Sequence, residues 1–265
     1  MKTTQQTLKS YKETGRKIVA VTAYDYPSAK ILDDAGVDIL LVGDSLGNVV
    51  QGKTTTLSVT LEQMIYHGEI VARAAQSAFV VIDIPFPFCQ LGPDEAIRAA
   101  AKILKETDAD AVKIEGGEHR AETIAALVNA DIPVMGHCGL LPQGVKKQGG
   151  FFVQRDTRQL LRDITTIEKA GAFAIVLECV PTSLAKKATA QTALPTIGIG
   201  AGPDCDGQIL VFHDLIGFTP KGADSRFPKH AKQYADLRSV ITNSVKRYAE
   251  EIHSGTFPGQ EQSFR

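Results

Sequence analysis

No charge of one sign dominates this chain: 29 Lys and Arg stand against 30 Asp and Glu, for a net charge of −1. The basic footprint of a polyanion-binding protein is missing, so no nucleic-acid partner is expected. There is no apolar run near the ~18 residues that a membrane span needs. The opening Met1-Lys-Thr-Thr-Gln-Gln6 stretch also lacks the apolar core of a secretory signal. Neither a membrane nor export is therefore expected. Cys89, Cys138, Cys179 and Cys205 form no C-x-x-C pair, which argues against a zinc ribbon or redox motif. Reduced thiols in a cytoplasmic protein are the expectation. No low-complexity stretch, linker or short repeat interrupts the 265 residues. A chain of that length buries enough apolar surface to fold without staples.

What the chain does have is an alternation. Short β-branched runs fall at residues 18–23, 38–42, 79–84, 110–114, 132–136, 173–177, 196–199 and 209–212. They are almost continuously apolar, as parallel strands covered on both faces are. Helical patterns lie between most of them. Thr60-x-x-Gln63 is a capping box. Residues 156–170 place Leu160, Leu161, Ile164 and Ile167 on one stripe. Gly36 and Gly171 stand where a left-handed helix end is wanted, just before strands. A long final helix is expected from Ala231, Tyr234, Leu237, Ile241, Val245, Tyr248 and Ile252, followed by a short polar tail from Ser254. The reading is an α/β fold, a single TIM (β/α)₈ barrel domain over residues 1–265. Residues 200–208 leave too little chain for a crossover helix. Either one turn of helix serves there, or one of the flanking strands is misplaced.

A barrel carries its active site at the C-terminal ends of its strands. Those ends read Tyr24-Asp25, Gly43-Asp44-Ser45, Asp83, Lys113-Ile-Glu115, Gly136-His137, Glu178-Cys179 and His213-Asp214. Asp44, Asp83 and Glu115 are costly as neighbours unless a cation joins them, and hard oxygens suit Mg²⁺. The plainer reading is three separate acids, each capping a helix or pairing with Lys or Arg. Lys113 is two residues from Glu115, hence on the same face. It is a Schiff-base lysine, a fixed cation for a substrate carboxylate, or half of a structural ion pair. Glu178 ends an apolar strand and is either a general base of raised pKa or the cap of a helix starting near Pro181. His137 is a ligand, an acid/base or a core histidine. A His137–Cys138 dyad is disfavoured because neighbouring strand residues face opposite ways. Gly198-Ile-Gly-Ala-Gly202 departs from the dinucleotide pattern at Pro203, which favours a tight turn over a phosphate loop. Lys146-Lys-Gln-Gly-Gly-Phe-Phe152 is a lid or cosubstrate loop, or an ordinary surface loop.

Seven segments run in order: Leu41-Val-Gly-Asp-Ser-Leu-Gly47, Asp83-Ile-Pro-Phe86, Val112-Lys-Ile-Glu-Gly-Gly-Glu118, Gly136-His-Cys-Gly-Leu140, Leu177-Glu-Cys-Val-Pro181, Ile197-Gly-Ile-Gly-Ala-Gly202 and Asp206-Gly-Gln-Ile-Leu-Val211. Together they resemble the ketopantoate hydroxymethyltransferase (3-methyl-2-oxobutanoate hydroxymethyltransferase) family from about Thr22 to the C-terminal tail. The resemblance implies a TIM barrel, one Mg²⁺ per subunit and a homodecamer of two five-membered rings. It implies hydroxymethyl transfer from 5,10-methylenetetrahydrofolate to 3-methyl-2-oxobutanoate, giving ketopantoate for pantothenate and coenzyme A biosynthesis. It makes Asp44, Asp83 and Glu115 the metal ligands. Asp44, Ser45, Asp83 and Lys113 become the oxoacid contacts, and Glu178 the proton acceptor. Leu141, where the family often has threonine, Arg155, where glycine is common, and Pro220-Lys-Gly-Ala-Asp-Ser-Arg-Phe227 depart from the family pattern in loops. Two rivals remain at this level. One is an Mg²⁺-dependent oxoacid carbon–carbon lyase or mutase of the phosphoenolpyruvate type, which needs no folate. The other is a barrel that has lost catalysis and serves binding or assembly.

Overall fold

The computed structural model describes residues 2–150, 152–219 and 227–264. It comprises two compact units, Met1–Val211 and Phe212–Arg265, described separately. The first holds eight parallel strands, each hydrogen-bonded to the next and the last to the first, as a closed barrel. They are β1 (Ile18–Thr22), β2 (Ile39–Val42), β3 (Phe79–Asp83), β4 (Ala111–Glu115), β5 (Val134–Gly139), β6 (Ala174–Glu178), β7 (Thr196–Ile199) and β8 (Gly207–Leu210). Its helices are α1 (Gln5–Thr14), α2 (Tyr26–Asp34), α3 (Leu46–Val49), α4 (Leu61–Ala74), α5 (Pro93–Thr107), α6 (Ala121–Asn129), α7 (Val145–Gln148), α8 (Thr157–Lys169) and α9 (Thr182–Gln191). The expected eight-stranded barrel is the fold.

The local signals behave as their chemistry requires. Thr60 Oγ1 accepts from Gln63 N at 3.2 Å and Gln63 Oε1 from Thr60 N at 3.0 Å, so α4 opens on a complete capping box. Gly36 ends α2 with φ +82°, and the bonds Gly36 N→Asp33 O and Val37 N→Leu32 O close a Schellman motif. Leu160, Ile164 and Ile167 bury one side of α8, while Leu161, a helical step off that line, stays half-buried.

Three expectations need correction. β5 starts two residues later than expected, because Pro133 has no N–H to give the ladder, and it runs on through His137 and Cys138 to Gly139. β8 lies at Gly207–Leu210 rather than 209–212, so His213-Asp214 is not a strand end. Both strands flanking residues 200–206 are real, and no helix joins them. The chain reverses at once instead, with Gly200 and Gly202 at φ +63° and +83°. The glycine-rich run is thus a tight turn.

Strand parity sorts the barrel into an inside and an outside. Ile18, Ala20, Ile39, Leu41, Phe79, Val81, Ala111, Met135, Ala174, Val176, Ile197, Ile199 and Ile209 share one interior cluster. Leu8 of α1 joins it with Tyr11 packed alongside. The intervening positions face the helices. A Cβ on Gly136 would come within 2.6 Å of Ile167 Cγ2 on α8. Gly136→Ala is therefore expected to cost about 1–3 kcal/mol by overpacking, read as a lower midpoint in thermal or urea unfolding. A variant as stable as the parent would show that α8 can move away.

The second unit contains α10 (Phe212–Leu215) and α11 (Leu237–Ser254). α11 begins later than the periodicity suggests, because Asp236 caps it by accepting from Ser239 N and Oγ. Ala231 and Tyr234 consequently precede it. No residue of α11 is buried; Val240, Ile241, Val245, Tyr248 and Ile252 are all exposed. Beyond the Gly255 cap, the tail folds back far enough for Phe257 to meet Tyr248 edge-on at 5.4 Å. Of the divergent segment 220–227, residues 220–226 lie outside the described residues, as does Phe151 of the 146–152 loop. Among the described residues no helix is long and apolar enough to cross a membrane.

Candidate active site

The inward columns of the barrel change chemistry as they rise. β3 carries Phe79, Val81 and then Asp83; β4 carries Ala111, Lys113 and Glu115; β5 carries Met135 and His137; β6 carries Ala174, Val176 and Glu178. Two-residue alternation thus lifts the polar side chains above an apolar floor, at the strands' C-terminal ends. Asp44 and Ser45 join from the turn after β2.

Asp83 Oδ1 and Lys113 Nζ form a buried ion pair of 2.5 Å, their strands placing the two residues side by side. Asp83 Oδ2 accepts from Asp44 N at 3.0 Å. A Cβ on Gly43 would lie 2.9 Å from Ser45 Oγ, so a side chain there would displace the serine hydroxyl. Burial raises the Asp44 pKa to about 6, with the Asp83 charge adding to the effect. Burial likewise pushes Glu115 well above the ordinary carboxylate range, and Asp44 adds to it. Burial opposes charge on Lys113 too, but Asp83, Glu115 and Asp44 together outweigh it and raise its pKa. Lys113 is therefore a firmly protonated ammonium, the opposite of the neutral amine that a Schiff base requires.

Gln143 sits among these acids. Its Nε2 donates to Asp44 Oδ2 at 3.0 Å and to Ile84 O at 3.1 Å, and its backbone N–H donates to Glu115 Oε2 at 3.0 Å. Among the described residues neither Asp44 nor Glu115 forms an ion pair with a lysine or arginine; Gln143 is the partner they share. His137 lies with Nδ1 3.7 Å from Glu115 Oε1 and Nε2 3.2 Å from Glu178 Oε2. Burial, reinforced by Lys113, lowers its pKa, so the ring is neutral near pH 7. Cys138, of opposite parity, is buried away from the mouth, and no dyad forms. Glu178 does not cap the next helix: α9 begins at Thr182, with Pro181 as its N-cap residue and no side-chain cap bond. Its side chain is 18% exposed, against 2% for His137. Ser45 is half-buried, its Oγ 2.7 Å from the Tyr24 hydroxyl. Burial raises the Tyr24 pKa, so the phenol keeps its proton. Asp25 is a helix cap, accepting from Ser28 N at 2.8 Å.

The expected residues Asp44, Ser45, Asp83, Lys113, Glu115, His137 and Glu178 therefore belong to one connected cluster. Gln143 and Gln90, which donates to Gln143 Oε1 at 3.2 Å, escaped the sequence reading. Both lie in irregular segments where no periodicity singles out a residue. The only local sign of Gln143 was the Pro142-Gln-Gly144 turn. Among the described residues, no three His, Cys, Asp or Glu side chains form a set that would hold a metal ion unaided. The donor chemistry nevertheless fits Mg²⁺, which takes one or two carboxylates and completes its shell with water and substrate. Three buried carboxyl groups face one ammonium; burial favours their protonated forms, and a divalent cation would balance the excess of two negative charges that they carry when all are ionised.

The family model for ketopantoate hydroxymethyltransferase matches residues 2–260. The 3-methyl-2-oxobutanoate hydroxymethyltransferase of Rhodopirellula baltica is 49% identical over 261 residues, 98% of this chain and 96% of that protein. The protein of that name from Pelobacter propionicus is 50% identical over 256 residues, 96% of this chain and 94% of its own length. Among solved structures, phosphonopyruvate hydrolase with oxalate and Mg²⁺ superposes with a TM-score of 0.64 at 15% identity, over 98% of this chain and 93% of its own. For 2,3-dimethylmalate lyase the TM-score is 0.61 at 17% identity, over 100% and 93%. Identities that low show the shared barrel and nothing about the reaction. Full-length similarity near one residue in two is a different matter: this chain belongs to the ketopantoate hydroxymethyltransferase family.

Proposed function

We propose that this chain transfers a hydroxymethyl group from 5,10-methylenetetrahydrofolate to 3-methyl-2-oxobutanoate, forming ketopantoate with Mg²⁺ as cofactor. The observation that carries the reading is the buried Asp44–Asp83–Lys113–Glu115 cluster beneath a partly exposed Glu178. It offers hard oxygens for a cation, an ammonium for a carboxylate and a base at the rim. Asp44, Asp83 and Glu115 would hold Mg²⁺, some through water. When bound, Mg²⁺ supplies Lewis-acid polarisation of the keto group.

The chain's own residues do the rest. Lys113, held by Asp83, neutralises the oxoacid carboxylate as a fixed cation. Ser45, oriented by the Tyr24 hydroxyl, hydrogen-bonds the same substrate. The apolar floor of Val81, Met135 and Val176 excludes water from below. Glu178 takes the proton from C3 of the oxoacid onto a carboxylate oxygen. The carbon left electron-rich then forms a bond to the folate's methylene carbon, water supplies the hydroxyl oxygen, and both carbon–nitrogen bonds of the methylene bridge break, so that tetrahydrofolate leaves with the C3 proton and the remaining water proton on its two nitrogens. His137, being neutral, gives Glu178 a polar neighbour without cancelling its charge.

The test follows the C3 proton of 3-methyl-2-oxobutanoate by NMR in D₂O, with and without Mg²⁺, then adds methylenetetrahydrofolate. Metal-dependent exchange and folate-dependent ketopantoate are expected. Turnover of the oxoacid without folate would favour the lyase reading instead. Metal affinity should also depend on pH. Asp44 has its pKa raised to about 6, so below that pH Mg²⁺ must displace a proton. Affinity should fall about tenfold per pH unit there. The apo fold gains stability from this group only in acid and loses it as pH rises through about 6, so Mg²⁺ should raise the melting temperature more at pH 8 than at pH 5. Calorimetric titration showing equal affinity at both would remove Asp44 from the metal site.

The proposal includes self-assembly in the cytoplasm. The uncovered apolar stripe of α11 supports association, and the four free thiols suit a reducing compartment. Light scattering should give ten times 28.5 kDa for a decamer; a monomer would overturn it.

A further inference from the structure

Every hydrogen-bonding group of the Gln143 side chain is used. The amide NH₂ can only donate, and its two partners, Asp44 Oδ2 and Ile84 O, can only accept, which fixes which way the amide points. Its Oε1 takes Gln90 Nε2, and its backbone N–H serves Glu115 Oε2. One residue thus grips two of the three acids from the β5 side and, through Ile84 and Gln90, the segment that follows β3. Gln143 is buried, yet it stands in a short 3₁₀ turn, Pro142–Gly144, that runs into the single turn of α7. That turn has no side-chain cap, and Gly149 closes α7 in the left-handed conformation. Leu140 N donates to Glu178 O at 2.8 Å and Leu140 and Val145 are buried, and the bonds of Gln143 are what tie this segment to the acid cluster itself.

We infer that Gln143 is a positioning residue that couples metal occupancy of the acid cluster to the seating of residues 140–150. The inference rests on the Mg²⁺ reading above. A cation held by Asp44 and Glu115 fixes both carboxylates at once, and with them both acidic acceptors of Gln143. Asp44 Oδ1 and Glu115 Oε1 are the oxygens that Gln143 leaves unengaged. Coupling of this kind is reciprocal: whatever seats the segment raises metal affinity by the factor that metal raises seating.

The test uses the full chain and Mg²⁺ alone. Calorimetric titration gives affinity, and hydrogen–deuterium exchange reads residues 140–150. In the parent, Mg²⁺ should slow exchange there about fivefold or more, taken as the response of a 1 kcal/mol coupling. Gln143→Met keeps the length and removes the donors. It should bind Mg²⁺ about 10–100-fold more weakly, the usual effect of losing a group that orients a metal ligand. At saturating Mg²⁺ it should still show no protection of the segment. Gln90→Ala, which removes only the outer bond, should lie between the two. Gln143→Asn, which retains the amide but withdraws it by one methylene, covers the case in which Gln143→Met fails to fold. A folded variant at Gln143 with parental affinity, or with protection intact, overturns the inference alone. A parent that binds no Mg²⁺ overturns the metal reading and the inference with it.

Discussion

Glu178→Gln is expected to slow metal-dependent exchange of the C3 proton by about 10²–10⁴-fold, the range for loss of a positioned general base. The amide has nearly the shape of the carboxylate but no basic oxygen. Glu178 is partly exposed, and among the described residues its close ionisable contact is the neutral His137, Nε2 at 3.2 Å. Loss of stability should accordingly stay within about 1 kcal/mol. Mg²⁺ affinity should hold within a factor of two, about 0.4 kcal/mol, because Asp44, Asp83 and Glu115 are untouched. NMR in D₂O without folate isolates the proton step, and calorimetry supplies the two controls. Exchange at the parental rate would take the base away from Glu178 and leave neutral His137 as the nearest alternative.

Lys113→Met should act on stability and substrate binding together. Lys113 is 4% exposed and pairs with Asp83 at 2.5 Å. Removing one partner of such a pair costs about 3–5 kcal/mol, since the remaining charge stays buried and uncompensated. The cost should be larger at pH 8 than near pH 5. In acid, Asp44, whose pKa is raised to about 6, takes up a proton and relieves the repulsion. The KM for the oxoacid should rise at least about tenfold, as for loss of a charged hydrogen bond. Denaturant titrations at both pH values, with oxoacid kinetics, test this. The double variant Lys113→Met with Asp83→Asn should recover part of the stability, which a double-mutant cycle measures. A single variant within about 1 kcal/mol of the parent would mean that the site is wet enough to screen its charges.

Much of the fold was legible in the chain because period-two and period-3.6 patterns are local. Eight apolar runs gave eight strands, and the Thr60–Gln63 box opened its helix where the residues said it would. The misses fell where local pattern competes with something else. Pro133 delayed β5, the Asp236 cap set back the start of α11, and the glycines at 200 and 202 made the expected tight turn suffice with neither one turn of helix nor a misplaced strand. The site was half legible. Asp83, Lys113, Glu115, His137 and Glu178 could be nominated because each interrupts an apolar strand near its end.

The sequence by itself determined which side chains stand on the inner columns, since strand parity admits two faces and the apolar layers below choose one. It also determined the family, because seven ordered segments in one register are specific where each alone is not. Only the tertiary structure decided how those residues treat one another. Lys113 became an ion-paired ammonium rather than a free amine, and His137 a neutral ring between two acids. Gln143 became the link between Asp44 and Glu115. Charge state and partnership depend on burial and on neighbours 28 and 99 residues away along the chain. No local pattern carries that distance; barrel closure brings those groups together.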